Sequence, residues 1–375
     1  MKFLHTADWH LGKMVNGVSM LVEQEYILAQ IGRIAQEEQV DGIIIAGDLY
    51  DRSVPPADAV TLLNDILMEL NVRLGLPVFA ISGNHDSAER VNFGSAWYEK
   101  SGLHIQGTLA RDLAPIEWCG AQVWLVPYHE PAVVRATLED KSVRSFEDAM
   151  QAVTAGIRAK WDETKPQILV GHAFVAGGIP SDSERQLAIG NVDRVSTDCF
   201  DGFDYVALGH LHHPHAIHYP TIFYAGSPLK YSFSEAQDKK SVRIVTMDGK
   251  DLEEIRERFL EPLHDLRVVE GYLADLLANV APGNDDFLQI NLLDEGALVD
   301  PMGQLRAMYP NVLHLERVRE KLADTAFERF EDVVKKDDLE LFGQFFAHVS
   351  GKELTERQVE IMRETMDLVK GGEDA

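Results

Sequence analysis

The sequence predicts an α/β fold: sheets in layers flanked by helices, then a small α+β domain and a C-terminal helical tail. Three observations carry this. Short apolar runs alternate with helical patterns to about residue 260, the runs break off in Gly and polar residues, and the texture changes near Glu261-Pro262. Met1 to Thr6 reads as the first strand, and Ile27, Ile31, Ile34 and Ala35 then recur at helical spacing. Gly42 to Ala46 is a buried strand. Val60, Leu63, Ile66, Leu67 and Leu70 form the next helical stripe, and Pro77 to Ser82 the third strand. Gln122 to Val126, Ile168 to Gly171, Tyr205 to Gly209 and Val242 to Met247 read as further strands, with a helix around Phe146 to Trp161 and a hairpin turn at Asp248-Gly249.

Beyond that boundary come Leu266 to Glu270, a short helix through Leu276, the strand-like Phe287 to Leu293, a helix through Met308, and Val312 to Glu316. The expected division is residues 1–261, 262–335 and 336–375. Two amphipathic helices fill the last part. One carries Leu339, Phe342, Phe345, Phe346 and Val349. The other opens on a capping box from Thr355 to Gln358 and carries Val359, Met362, Met366 and Val369.

Composition bounds the function. The chain has 375 residues, 45% hydrophobic and 26% charged, which is ordinary globular usage and excludes disorder as the main state. Asp and Glu number 61 against 35 Lys and Arg, a formal charge of -26, so the surface repels polyanions. Any nucleic-acid role therefore needs metal ions or a basic partner. Cys119 and Cys199 are too few for a disulfide framework or a thiolate zinc site. With no apolar stretch near bilayer length and no signal-peptide pattern at Met1-Lys2-Phe3, a cytoplasmic protein is expected.

Five places share one design, in which an apolar strand runs out into a carboxylate, histidine or asparagine. They are Asp8-Trp9-His10, Gly47-Asp48, Gly83-Asn84-His85-Asp86, Gly171-His172 and Gly209-His210-Leu211-His212. Ligands of open α/β sheets bind beyond the carboxyl ends of strands, so these groups are expected to converge. Gly directly before four of them leaves room for a sharp turn and for an ion or phosphate. Imidazole, carboxylate and amide oxygen without thiolate suit Mn, Fe, Co or catalytic Zn. Seven donors suit two ions sharing one carboxylate, and two-metal centres hydrolyse phosphoesters.

In this order the five motifs resemble the signature of calcineurin-like metallophosphoesterases. The resemblance implies a β-sandwich flanked by helices, with one ion on Asp8, His10, Asp48 and His212 and a second on Asp48, Asn84, His172 and His210. His85 would protonate the leaving 3' oxygen or stabilise charge on the phosphate. Asp51, followed by Arg52 as in protein phosphatases, would orient His85, with Asp86 a competitor and a plain loop cap the alternative for Asp51. Within the superfamily, His5-Thr6-Ala7-Asp8-Trp9-His10-Leu11-Gly12 and Ala207-Leu208-Gly209-His210-Leu211-His212 resemble the bacterial nuclease subunits that work with a coiled-coil ATPase. That likeness implies a manganese-dependent DNA nuclease, dimeric, whose helical tail binds the ATPase. It further implies 3' to 5' exonuclease action on duplexes and endonuclease action on single strands and hairpins. A small-molecule phosphodiesterase or protein phosphatase is the competing reading, since the same centre serves all three. His213, His215 and His218, and the aromatic Trp9, Tyr50 and Tyr128, are read as exposed or packing residues respectively.

Overall fold

The apolar runs become the strands of two facing sheets in the computed structural model, which describes residues 1–184, 193–280, 283, 285–317, 338–350 and 352–371. One sheet has the order Asp251–Phe259, Ser241–Asp248, Lys2–Thr6, Gly42–Ile45, Val78–Ile81, Leu103–Gln106. The other has the order Ile222–Tyr224, Tyr205–Gly209, Gln167–His172, Ala121–Val126, Ile116–Trp118. The last four strands of the first sheet are parallel, as are the first four of the second. Their carboxyl ends open along one edge of each sheet.

Both faces of the central strands are buried, which is why the sequence reads as unbroken apolar runs rather than as alternation. Side chains still alternate between two cores. Phe3, Ile44, Phe79 and Ile81 share the core between the sheets with Val123, Ile168, Val170 and Tyr205. Leu4, Ile43, Ile45 and Val78 pack instead with Ile27 and Ile31 of the helix Leu21–Glu37. Across the second sheet Trp124, Leu169 and Val206 meet Met150 and Val153 of the helix Phe146–Arg158, which Ser145 and Asp148 open with a reciprocal capping box. Truncating a side chain such as Ile44 to alanine in the middle layer is expected to cost about 2–5 kcal/mol.

Every strand read from the sequence is present within a residue or two. The turn at Gly249 joins Ser241–Asp248 to Asp251–Phe259, an edge strand that the sequence reading passed over. Its string of charges, Asp-Leu-Glu-Glu-Ile-Arg-Glu-Arg-Phe, masks the strand pattern, and such charges protect an edge from pairing with other chains.

A third sheet, Leu266–Gly271, Phe287–Leu292 and Val312–Arg317, is covered by helices Leu273–Ala278 and Pro301–Met308 around Leu288, Ile290, Leu292 and Leu305. Residues Met1–Glu316 form one compact unit and Arg317–Ala375 another. In the second unit the described helices are Asp338–Ser350 and Glu356–Gly371. Thr355 caps the latter: its N–H donates to Gln358 Oε1 at 2.9 Å, while the Gln358 N–H donates to the Thr355 hydroxyl at 3.4 Å. The expected boundary at 335/336, and the side chains of Phe345, Val349 and Val369, lie outside the described residues. Among the described residues no helix is long and apolar enough to cross a membrane.

Candidate metal centre

All five polar motifs sit where parallel strands end, and in three of them the backbone is bent out of its ordinary range. Asp8, His10, Asp48 and His210 have φ of 55°, 47°, 50° and 103°. Each such left-handed conformation costs about 1–3 kcal/mol and persists only where the surroundings enforce it. Hydrogen bonds between the loops do so here. The Asp8 N–H donates to the Gly47 carbonyl at 3.0 Å and the His10 N–H to the Asp48 carbonyl at 2.9 Å. Gln24, from the first helix, donates to the carbonyls of Trp9 and His10 and accepts from the Gly12 N–H.

Two glycines owe their place to crowding between loops. A Cβ on Gly83 would stand 2.1 Å from Asp48 Oδ1, and one on Gly209 2.0 Å from the Ala46 carbonyl oxygen. The room expected for an ion or phosphate is therefore taken, at these positions, by neighbouring motif loops.

Asp8, His10, Asp48, His172, His210 and His212 are all buried, and Asn84 and His85 are half-buried. Asp8 Oδ1 accepts the His210 N–H at 2.9 Å, leaving Oδ2 buried without a hydrogen-bond partner among the described residues. Asp48 Oδ1 accepts the His85 N–H at 2.9 Å. Its other oxygen, Oδ2, lies 3.5 Å from His10 Nε2 and 3.5 Å from His172 Nε2, between the two groups of side chains. On one side His10 Nε2 and His212 Nε2 are 3.1 Å apart. On the other, Asn84 Oδ1 is 2.9 Å from both His172 Nε2 and His210 Nδ1. Asp8, His10 and His212, and likewise Asp8, Asp48 and His172, bring one ligand atom each within 4.8 Å of one another.

Proton positions follow from the outer partners. His172 Nδ1 faces the Ala46 carbonyl at 2.9 Å and must donate to it, so its Nε2 carries a lone pair that meets the lone pairs of Asn84 Oδ1. Ser183 donates its hydroxyl hydrogen to Glu235 and therefore accepts from His212 Nδ1 at 2.6 Å, which turns His212 Nε2 toward His10. Burial holds His10 and His210 well below the usual imidazole range and lowers His172 too, keeping them neutral. Burial first, and the Asp48 charge second, push Asp8 well above the usual carboxylate range. Converging lone pairs, an orphaned buried carboxylate oxygen and repelling acids all call for cations, and oxygen and imidazole donors without thiolate fit divalent ions of the Mn, Fe or Zn kind.

His85 stands beside this set, its ring 4.6 Å from the His10 ring and edge-on to it. The hydrogen bonds give its Nδ1 a main-chain partner, with the Asp51 carboxylate close by. His85 Nδ1 donates to the main-chain carbonyl of Asp51 at 2.9 Å. The Asp51 carboxylate instead pairs with Lys13 at 2.8 Å, and Asp86 accepts the N–H groups of Leu49, Tyr50 and Gly83, bracing two loops. Burial and the Asp48 charge push Asp86 up to about 7.

Against this geometry the sequence comparisons are decisive. The profile described as calcineurin-like phosphoesterase matches residues 1–214, and that described as type 5 capsule protein repressor C-terminal domain matches residues 262–350. The SbcD subunit of the nuclease SbcCD from Staphylococcus epidermidis (strain ATCC 12228 / FDA PCI 1200) is 37% identical over 98% of this chain and 99% of its own. The chain belongs to the SbcD family of calcineurin-like phosphoesterases. As a member of that family it is a hydrolase of phosphoester bonds. A crystal structure of a Thermus thermophilus protein matches 69% of this chain and 98% of its own, at 14% identity and TM-score 0.41. A dimetal phosphatase from Danio rerio matches 70% and 98%, at 12% identity and TM-score 0.39.

Several contributors to this SbcD-family site escaped the sequence reading. Lys240 Nζ, almost wholly buried, donates to Glu235 Oε2 at 2.6 Å and to the His212 carbonyl at 3.0 Å, closing a chain from His212 through Ser183 and Glu235. The one sequence signal was a lone lysine directly before the strand Ser241–Asp248. Trp9 is buried and donates to Thr6, so it packs, while His213 is half-buried and His215 exposed.

Proposed function

We propose that this chain is the nuclease subunit of an SbcCD-type complex, hydrolysing DNA phosphodiester bonds with two manganese ions. Asp8, His10, Asp48 and His212 would hold one ion, and Asp48, Asn84, His172 and His210 the other. The observation that carries this reading is Asp48 Oδ2, placed 3.5 Å from one imidazole of each set. When bound, the ions supply Lewis acidity toward the phosphate and lower the pKa of water. The chain's own residues do the rest. Asp48 uses its other oxygen to fix the His85 N–H. His85, with Nδ1 committed to the Asp51 carbonyl, presents Nε2 to the substrate, where its protonated form gives a proton to the leaving 3' oxygen.

A surface with net charge -26 does not gather DNA unaided, which supports a basic, ATP-driven partner, SbcC. The apolar faces of Asp338–Ser350 and Glu356–Gly371 suit docking on its coiled coil, and the chain divides functionally into residues 1–261, 262–335 and 336–375. Exposed apolar side chains at Val72, Phe93 and Trp97 support a homodimer. Action in the cytoplasm, 3' to 5' duplex exonuclease activity and opening of hairpins and single strands belong to the same proposal.

Cleavage of hairpin DNA with manganese, with and without SbcC, tests it alongside metal analysis. Two bound ions and SbcC-stimulated cutting are expected. Brisk hydrolysis of cyclic nucleotides with DNA left intact would replace the nuclease by a small-molecule phosphodiesterase. A chain ending before Asp338 should keep its ions and lose SbcC, and its co-purification with SbcC would refute the docking role.

A further inference from the structure

Around the centre, basic side chains are neutralised by neighbours. Lys13 pairs with Asp51 at 2.8 Å, Arg52 with the same carboxylate at 3.6 Å, and Lys240 with Glu235 at 2.6 Å. Arg194 differs. Its guanidinium makes no ion pair or hydrogen bond among the described residues, and its Nε is buried without a partner. In a chain with 61 acidic residues, a half-buried cation left without a carboxylate is a placed charge.

The placement has a structural cause. The short strands Phe174–Val175 and Arg194–Val195 pair in parallel with Phe174 opposite Arg194, so both side chains leave the ribbon on one face. The Arg194 guanidinium lies 4.5 Å over the Phe174 ring. That ring lies 5.8 Å from the ring of His210, and Phe174 follows His172 by two residues. Arg194 thus stands one aromatic ring away from the centre, held by stacking that uses none of its five donors.

We propose that Arg194 is a phosphate-binding residue that takes the nucleic-acid phosphate next along the strand from the scissile one, with Phe174 as its platform. The assignment rests on the nuclease reading of the centre. A planar fork of donors suits a phosphodiester, which it can grip with two parallel hydrogen bonds. Binding there fixes the register of the strand over His85 and contributes nothing to a diester that has no neighbouring phosphate.

The test uses the full chain and two readouts. In a His85→Gln background, with manganese and SbcC present, binding of a short fluorescein-labelled single-stranded DNA is followed by anisotropy over a salt series. Arg194→Ala should reduce the slope of log affinity against log salt by about 0.7, the share of one single-strand phosphate contact. Arg194→Lys should keep the slope of the parent. With manganese and intact His85, Arg194→Ala should lower the ratio of kcat/KM for DNA to that for bis(p-nitrophenyl) phosphate by about tenfold, the scale of one charge-assisted contact. An unaltered slope or an unaltered ratio overturns the assignment. Should Arg194→Ala lose its cooperative thermal transition, Arg194→Gln takes its place, with the same slope and ratio expected and the same results overturning the assignment. A parent that, with SbcC present, hydrolyses the small diester but leaves DNA uncut overturns the nuclease reading instead.

Discussion

The two sheets bring different chemistry to the centre. The first supplies every acidic donor, Asp8 and Asp48, together with the amide of Asn84, His10 and His85, while the second supplies only imidazoles, His172, His210 and His212. The cost of assembly differs accordingly. On one sheet burial, and then the Asp48 charge, push Asp8 well above the usual carboxylate range, whereas on the other burial keeps His172 and His210 neutral. Neither sheet alone holds a complete set of donors. The centre exists only where Gly209 lets the second sheet approach Ala46 of the first, so cations bound there also tie the layers together.

The comparison breaks most completely at Asp48, the acidic group assigned to both proposed sets. Asp48→Asn keeps the shape and removes the charge; turnover should fall at least about a thousandfold, roughly 4 kcal/mol of transition-state stabilisation. Titration calorimetry with manganese should lose both strong binding events, and retention of two would remove Asp48 from its bridging place. His85 is the complementary case, since it belongs to the acidic sheet yet stands outside both sets. His85→Gln should lower kcat by about a hundredfold to ten-thousandfold. Its manganese isotherm should match that of the parent, and a weakened isotherm would make His85 a ligand rather than a proton donor.

These two regions were not equally legible in the sequence. The carboxyl ends of the parallel strands were readable because an apolar run that stops at Gly and a charged residue has few other meanings. All seven candidate donors and His85 could be located that way. What orients His85 was not readable, because a main-chain carbonyl, that of Asp51, carries no side-chain signature. The chain from His212 through Ser183 and Glu235 to Lys240 was hidden for another reason. Its members lie in irregular segments far apart in sequence, and only the fold makes them neighbours. Arg194 was likewise invisible, since its meaning depends on a two-residue ribbon whose register puts it over Phe174.

The hidden chain gives the next test, on the imidazole side alone. Ser183→Ala removes the group that accepts from His212 Nδ1 and so fixes its tautomer. Loss of such a partner behind a liganding histidine costs about 10-fold to 100-fold in metal affinity. Of the two proposed metal sites only the one assigned His212 should weaken, which competition with a fluorescent chelator would resolve. Equal weakening of both would mean that the two sheets respond as one unit.

The smallest effect is expected where neither set of donors is touched. His264, just before the third sheet, meets Glu23 of the first helix, with His264 Nδ1 2.8 Å from Glu23 Oε1 and its N–H donating to Oε2 at 3.0 Å. The hydrogen bond to Glu23, and then its charge, raise the His264 pKa above the ordinary histidine value of 6.5. The imidazolium is therefore favoured by folding. Its contribution is complete below about pH 6.5 and fades as pH rises through the elevated folded value. Because the ring is partly in solvent, the effect should stay below about 1 kcal/mol. Glu23→Gln should flatten the pH dependence of Tm above pH 6.5 while leaving manganese binding intact. A change in the manganese isotherm would show that the helix Leu21–Glu37, which also carries Gln24, transmits strain from this contact to the loop holding His10.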